Sequence, residues 1–187
     1  HATDDHTISV MINGNMTIAK LLNSKLLYDV YGNIQTPVRN KTDAISGTIN
    51  IELGDFTLTS VTGWRKNNES VRQDFDSASI NFFDTLRIQQ YEQFSQEIRF
   101  AGDVTDWMDI VLGAYYFDST YTLQQTSFFG FLGPGASAFQ LSVGDSKSYA
   151  GFADARFKLS DQLTFGVGGR YTRDEKALTT NFALSPT

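Results

Sequence analysis

The stretch Tyr149-Ala-Gly-Phe-Ala-Asp-Ala-Arg-Phe-Lys-Leu-Ser-Asp-Gln-Leu-Thr-Phe-Gly-Val-Gly-Gly-Arg-Tyr171 decides the fold. In its first arm Tyr149, Gly151, Ala153, Ala155, Phe157 and Leu159 alternate with Ala150, Phe152, Asp154, Arg156 and Lys158. In its second arm Leu163, Phe165, Val167, Gly169 and Tyr171 alternate with Thr164, Gly166, Gly168, Arg170 and Thr172. A period of two belongs to a pleated strand with one apolar and one polar face, whereas a helix repeats its apolar positions every three to four residues. Ser160-Asp161-Gln162 between the arms is a short polar turn, so the stretch predicts an antiparallel hairpin.

The same alternation recurs along the chain. Ile45, Gly47, Ile49, Ile51 and Leu53 oppose Ser46, Thr48, Asn50 and Glu52, while Phe94, Ile98 and Phe100 oppose Ser95, Glu97 and Arg99. The expectation is an all-β chain. Its charge, 15 Lys+Arg against 21 Asp+Glu, argues against a nucleic-acid partner, which calls for a clustered basic face. Only 19% charged and 13% aromatic residues exclude an intrinsically disordered chain. The absence of cysteine excludes disulfides, thiolate-bound zinc and thiol nucleophiles. The longest nearly apolar run, residues 110–117, is far short of the roughly 20 residues of a spanning helix, but a membrane strand needs only about 9–11.

Connections separate a membrane barrel from a soluble sandwich. Leu53-Gly54-Asp55, Gly102 to Asp106 and Ser160-Asp161-Gln162 are short; residues 77–88 and 127–145 are long. Strict alternation of short and long connections, giving about six strands in three hairpins, is the habit of transmembrane barrels with short periplasmic turns and long extracellular loops. Aromatic residues supply a second ruler. Trp64, Phe117, Tyr149 and Tyr171 each lie about nine to eleven residues from a short turn, a climb of roughly 23 Å for a tilted strand, close to the apolar band of about 25 Å. Phe56, Phe100, Trp107 and Phe157 near the short turns are candidates for the opposite girdle. Tyr91 has the parity opposite to Phe94 and Phe100, which predicts a bulge or a shifted register there.

These segments also resemble a known family. Asp55-Phe-Thr-Leu-Thr-Ser-Val-Thr-Gly-Trp-Arg65, Gln93-Phe-Ser-Gln-Glu-Ile-Arg99, Trp107 leading into Val111-Leu-Gly-Ala-Tyr-Tyr-Phe117, Tyr149 to Phe157, and Gly168-Gly-Arg-Tyr-Thr-Arg-Asp-Glu-Lys176 resemble, in order, consecutive barrel segments of TonB-dependent outer-membrane receptors. The resemblance covers about residues 43–177. It implies part of a 22-stranded transmembrane β-barrel that encloses a plug domain in the bacterial outer membrane. It further implies active uptake of a scarce ligand, most often a ferric siderophore, otherwise haem, cobalamin or oligosaccharide, driven through TonB. Neither plug nor TonB box is visible, and Leu184-Ser-Pro-Thr187 lacks the aromatic that usually ends an outer-membrane strand. The expectation is therefore an internal fragment: residues 1–42 an extracellular loop or irregular lead-in, 43–177 partial barrel, and 178–187 the start of an extracellular loop. Asn13 to Asn15 reads as a turn, and Leu21-Leu22 and Leu26-Leu27 as a short helix or irregular strand.

Partners follow from this reading: outer-membrane lipid, the plug and remaining barrel, TonB, and the ligand. No catalysis and no cofactor are expected. His1, Asp4, Asp5 and His6 form the one His/carboxylate cluster, read as a solvated terminal loop and not a metal site. Asp103, Asp106 and Asp109 surround a turn, where Asp is favoured for backbone reasons. Glu97, Arg99, Asp154, Arg156, Lys158 and Arg170 share the polar parity and are expected to line the barrel lumen. Phe128, Phe129 and Phe131 are the candidate ligand-loop contacts, with packing against neighbouring loops as the alternative. Two competing readings stay open: a small self-contained eight-stranded outer-membrane barrel with a structural or adhesive role, and a soluble all-β carbohydrate-binding module presenting Trp64 and Trp107 to sugars.

Overall fold

The computed structural model describes residues 34–76 and 79–185, with the strand backbone at β1 (Met11–Ile12) and β2 (Met16–Thr17), which pair antiparallel. The turn read at Asn13 to Asn15, the leucine pairs at 21–27 and the His1–His6 cluster lie outside the described residues. The remaining strands are β3 (Val38–Leu53), β4 (Phe56–Asp74), β5 (Phe83–Thr105), β6 (Met108–Phe129), β7 (Ser137–Ser160) and β8 (Leu163–Ser185). They form one antiparallel meander in sequence order, β3-β4-β5-β6-β7-β8, and the sheet is not closed. The all-β reading, its six strands and its three hairpins are those of the structure.

Strand length departs from the sequence reading. β5 to β8 run 22 to 24 residues, about twice what a membrane strand needs. The connections expected at 77–88 and 127–145 shrink to residues 75–82 and 130–136, because the strands on both sides keep pairing. Likewise β8 stays paired to β7 through Ser185, so residues 178–185 are strand, not the opening of a loop, and β3 begins at Val38, not at 43. In β4 and β6 the reason is that beyond the aromatic level both faces are largely polar, so no hydrophobic alternation marks the strand, while Thr, Ser, Gln and Tyr still suit a pleated backbone. In β7 an alternation is present, Phe139, Leu141 and Val143 against Gln140, Ser142 and Gly144, and it continues the strand above the rings.

The short turns are tight. Leu53 pairs with Phe56 across Gly54-Asp55, Thr105 with Met108 across Asp106-Trp107, and Ser160 with Leu163 across Asp161-Gln162. Gly54 takes φ +68°, which a side chain would strain. The second turn therefore sits later than the Gly102 to Asp106 stretch, of which Gly102 and Asp103 remain in the ladder. No bulge occurs at Tyr91: pairing is continuous from Asp84 to Asp103, and the irregularities lie by the turns, at Asp103/Thr105 and Lys158/Ser160. Tyr91 simply belongs to the other face, where its hydroxyl donates to Gln93.

The register sorts the side chains onto two faces. One carries Ile45, Ile49, Leu53, Phe56, Leu58, Trp64, Phe94, Ile98, Phe100, Leu112, Ala114, Tyr116, Tyr149, Ala153, Phe165, Val167 and Tyr171. The other carries Glu97, Arg99, Asp109, Ser119, Ser142, Asp154, Arg156 and Arg170. Exposure is inverted relative to a soluble sheet. Ile98 is 47% and Leu112 46% exposed, against 8% for Ser119 and 5% for Ser142. Packing within the sheet is between sequence-adjacent strands, with no second layer among the described residues.

Three polar side chains interrupt the apolar face and satisfy one another. Thr62 Oγ1 donates to Gln96 Oε1 at 2.6 Å, and Gln96 Nε2 donates to Ser60 Oγ at 2.9 Å and to the Glu97 carbonyl at 3.2 Å. Unpaired, each would be costly in an apolar medium. Charge substitution tests the two faces. Val167→Arg places an uncompensated charge on the apolar face and should cost about 2–4 kcal/mol of assembled barrel. Gly168→Arg enters the polar face beside Asp154 Oδ2 and should be milder. Folded fractions of the two variants in membranes check this; equal losses contradict the face assignment.

Candidate functional site

Aromatic rings mark two levels on the apolar face. The upper one comprises Trp64, Phe94, Tyr116, Tyr149 and Tyr171, with Phe94 6.3 Å from Tyr116 and Tyr116 5.2 Å from Tyr149 between centroids. The lower one comprises Phe56 stacked on Phe100 at 4.7 Å, and Trp107, Phe157 and Phe165 in sequence at 6.0 and 6.3 Å. Phe117, expected in the upper level, points to the polar face, and its neighbour Tyr116 takes that place. Two consecutive aromatics on a strand cannot share a face, and sequence spacing alone did not choose between them.

The upper level steps through the register. Trp64 is paired with Phe94, Tyr116 lies two residues nearer its turn than the partner of Phe94, Tyr116 pairs with Tyr149, and Tyr171 lies two residues nearer its turn than the partner of Tyr149. The drop averages about one residue, or 3.3 Å, per strand spacing of about 4.8 Å. If the rings share one plane, the strands tilt by about 35°, within the range for membrane barrels. Trp64 Nε1 donates to Glu92 Oε1 at 3.0 Å, just beyond the apolar band. That hydrogen bond holds the Glu92 carboxyl below its usual range against the opposing effect of burial, and Lys66 at 3.5 Å adds to the lowering.

The polar face in the short-turn half contains the residues singled out in the sequence. Arg99 Nε lies 2.9 Å from Glu97 Oε1, and Arg156 Nε 2.8 Å from Asp109 Oδ2. Arg170 lies over the Tyr115 and Phe152 rings at 5.7 and 5.5 Å and donates to Thr172. Asp154 sits opposite Gly168, and the Lys158 amide donates to the Trp107 carbonyl. The structure puts all six on one face, dispersed as a ladder and not gathered into a pocket. Asp109 is the member that sequence reasoning assigned to a turn; its cross-strand position opposite Arg156 was the missing signal.

The far end is built differently. The described residues of the β4–β5 connection dock on residues 130–136 through a run of phenylalanines: Phe82–Phe131 at 5.0 Å, Phe83–Phe129 at 5.5 Å, Phe75–Phe83 at 5.4 Å and Phe129–Phe131 at 5.9 Å. The Gly130 amide donates to the Phe82 carbonyl, and a Cβ at Gly130 would collide with the Asn81 carbonyl oxygen, so only glycine permits this approach. Below the rings Asp84 is 2% exposed and ion-paired with Arg72 at 3.3 Å, and Arg72 lies 5.9 Å from the Phe128 ring. Of the three candidate phenylalanines, Phe129 stacks on its cross-strand partner Phe83, Phe128 faces Arg72, and Phe131 packs on Phe82 while remaining 52% exposed. Phe75, Phe82, Phe83 and Arg72 complete the cluster and were not singled out in the sequence, because the contact joins two hairpin tips distant in the chain.

This geometry offers apolar and cationic contacts. Among the described residues no His, Asp or Glu group is arranged to hold a metal ion. Trp64 and Trp107 belong to opposite levels of the apolar face and make no common sugar platform. Gly130→Val should undo the tip, at a cost of about 1–3 kcal/mol. Limited proteolysis should then cut within 75–82 and 130–136 while the rest of the sheet stays protected; an unchanged digestion pattern contradicts the docking.

The sequence matches the family described as "TonB dependent receptor-like, beta-barrel" over residues 9–186, reaching further toward the N-terminus than the motifs at 43–177. Among solved structures it is similar to the ferric yersiniabactin uptake receptor FyuA from Yersinia pestis, with a TM-score of 0.65 and 18% identity, over 80% of this chain and 23% of that one. It is also aligned with the siderophore receptor PiuA from Acinetobacter baumannii, with a TM-score of 0.42 and 13% identity, over 82% of this chain and 31% of that one. The chain thus spans less than a third of the length of either receptor. No curated protein shows a significant match.

Proposed function

The chain belongs to the TonB-dependent receptor β-barrel family, and from that membership we propose that it is a wall segment of an outer-membrane receptor that takes up a ferric siderophore. The observation that carries this reading is the exposed apolar face bounded by two aromatic levels, set opposite a more covered polar face. An exposed apolar surface of this extent needs an apolar surrounding, and lipid supplies it. The polar ladder of Glu97, Arg99, Asp154, Arg156 and Arg170 then lines the lumen and meets a plug domain. The short turns lie on the periplasmic side, and the long hairpins stand in the external medium.

The ligand assignment rests on the tip and on the relatives. FyuA is a ferric yersiniabactin uptake receptor, and the tip of this chain sets aromatic rings beside a part-exposed Arg72 that is ion-paired with the buried Asp84. Rings and a guanidinium suit a ligand with aromatic and anionic groups. Energy for uptake enters through TonB acting on the plug side, and the chain itself does no chemistry.

Growth on ferric siderophores as sole iron source tests the reading. Deleting the receptor that carries this segment should abolish growth on at least one siderophore of a panel and leave growth on ferrous iron intact. Phe131→Ser in the intact receptor should weaken uptake of the same siderophore by about tenfold, or about 1.4 kcal/mol. Undiminished growth of the deletion strain on every siderophore of the panel overturns the ligand assignment.

A further inference from the structure

Two adjacent rungs on the polar face, in the half toward the long connections, build a notch. On one rung Tyr121 pairs with Gly144 and Gly144 with Leu178; on the next, nearer the short turns, Ser119 pairs with Ser146 and Ser146 with Lys176. These six residues line a cavity of about 280 Å³. Gly144 forms its floor, and because it lacks a side chain the Tyr121 ring and Leu178 stand apart. A Cβ there would lie 3.5 Å from Leu178 Cδ1 and 4.0 Å from Tyr121 Cδ1, in ordinary contact with both. The backbone therefore does not require glycine at this position, and its effect is to keep the space open.

The polar groups of the notch have no partners. Ser119 is only 8% exposed, and its hydroxyl, the Ser146 hydroxyl and the Lys176 ammonium make no side-chain hydrogen bond or ion pair among the described residues. Asp174, the next charge along the same face of β8, does not pair with Lys176. Asp145 borders the cavity from the opposite face and accepts from Thr120 Oγ1 at 3.3 Å. A hydroxyl covered to the extent of Ser119 costs free energy unless something bonds to it. The notch thus sets one ammonium and two hydroxyls beside a slot between a phenol ring and a leucine.

We propose that the notch binds an aromatic ring carrying an ionised oxygen, a carboxylate or a phenolate, at one end of the transported ligand. The ring enters between Tyr121 and Leu178 over Gly144, and the oxygen meets Lys176 and the two serines. Each part of the notch selects against a simpler occupant. An aliphatic or inorganic anion leaves Tyr121 and Leu178 without contact, and an uncharged ring or sugar leaves the ammonium unmatched. At about 280 Å³ the notch falls just below the range of about 300–1,000 Å³ for whole-ligand pockets, so it holds one group of a larger molecule. The inference rests on the polar face lining the lumen of a ligand-importing barrel, and it narrows the class of that ligand.

Ligand-observed NMR on the full-length receptor in detergent micelles tests this, with benzoate as the probe. Acetate and benzyl alcohol serve as its two halves, and glucose as an uncharged polyol. Heat-modifiable migration in gels reports barrel assembly separately. Benzoate should bind, and each of the other three should bind about tenfold more weakly or less. Lys176→Gln should weaken benzoate binding by about tenfold, Lys176→Arg should preserve it, and Gly144→Val, which closes the slot, should abolish it. If Gly144→Val does not assemble, Gly144→Ala, whose methyl finds ordinary contacts, takes its place. Equal binding of benzoate by the receptor and its assembled variants overturns the site. Acetate binding as tightly as benzoate would make it a plain anion site, preference for glucose would make it a sugar site, and either result overturns the proposal. If benzoate fails while the deletion strain still loses growth on a siderophore, the notch falls and the siderophore reading stands. If benzoate binds with the expected variant pattern while the deletion strain grows on every siderophore, the notch stands and the siderophore reading falls.

Discussion

A strand at hydrocarbon depth has to hydrogen-bond every N–H and C=O within the protein, because no water is there to accept or donate. With the sheet placed in a membrane as proposed, this requirement organises the whole of it. It explains why β3 to β8 pair without interruption across the apolar band, with their irregularities confined to the short turns. It explains the mutual satisfaction of Ser60, Thr62 and Gln96, the polar side chains that the register places among apolar neighbours. It also sets a condition on the open edges of β3 and β8, which in lipid must each find a further strand.

Side-chain levels and backbone register are coupled by the same geometry. Rings that lie at one depth must step along the register when the strands tilt, and the step from Trp64 and Phe94 to Tyr116 and Tyr149 and then to Tyr171 is of the right size. Beyond the rings each strand carries a charge on the same face: Asp43, Lys66, Glu92, Asp118, Lys147 and Arg173. The transition from ring to charge over one residue pair is what an interface between hydrocarbon and polar headgroups requires.

The apolar half of the fold was legible because alternation there is enforced by the surroundings. Ile45 to Leu53 and Leu163 to Tyr171 name their faces outright, and Gly54-Asp55 and Asp161-Gln162 name their turns. The hairpin extensions were not legible. From Arg65 to Asp74 and from Asp118 to Phe129 both faces are wet, so strand and loop look alike in sequence. Phe117 was placed on the wrong face because Tyr116 and Phe117 are chemically equivalent until the register with Phe94 and Tyr149 separates them. The tip cluster was half visible. Phe128, Phe129 and Phe131 stood out, but their partners Arg72, Phe82 and Phe83 lie about 45 to 55 residues earlier, on β4, at the start of β5 and in the connection between them, and only the strand register joins the two.

The central claim is that the apolar face meets lipid and the polar face meets water. Spin labels placed singly at each position from Leu163 to Arg173 of the full-length receptor in bilayers test it directly, by comparing collisions with oxygen and with a water-soluble paramagnetic reagent. The account predicts alternation with a period of two: labels at 163, 165, 167, 169 and 171 open to oxygen, and labels at 164, 166, 168 and 170 open to the aqueous reagent. A uniform profile, or the opposite phase, would contradict it.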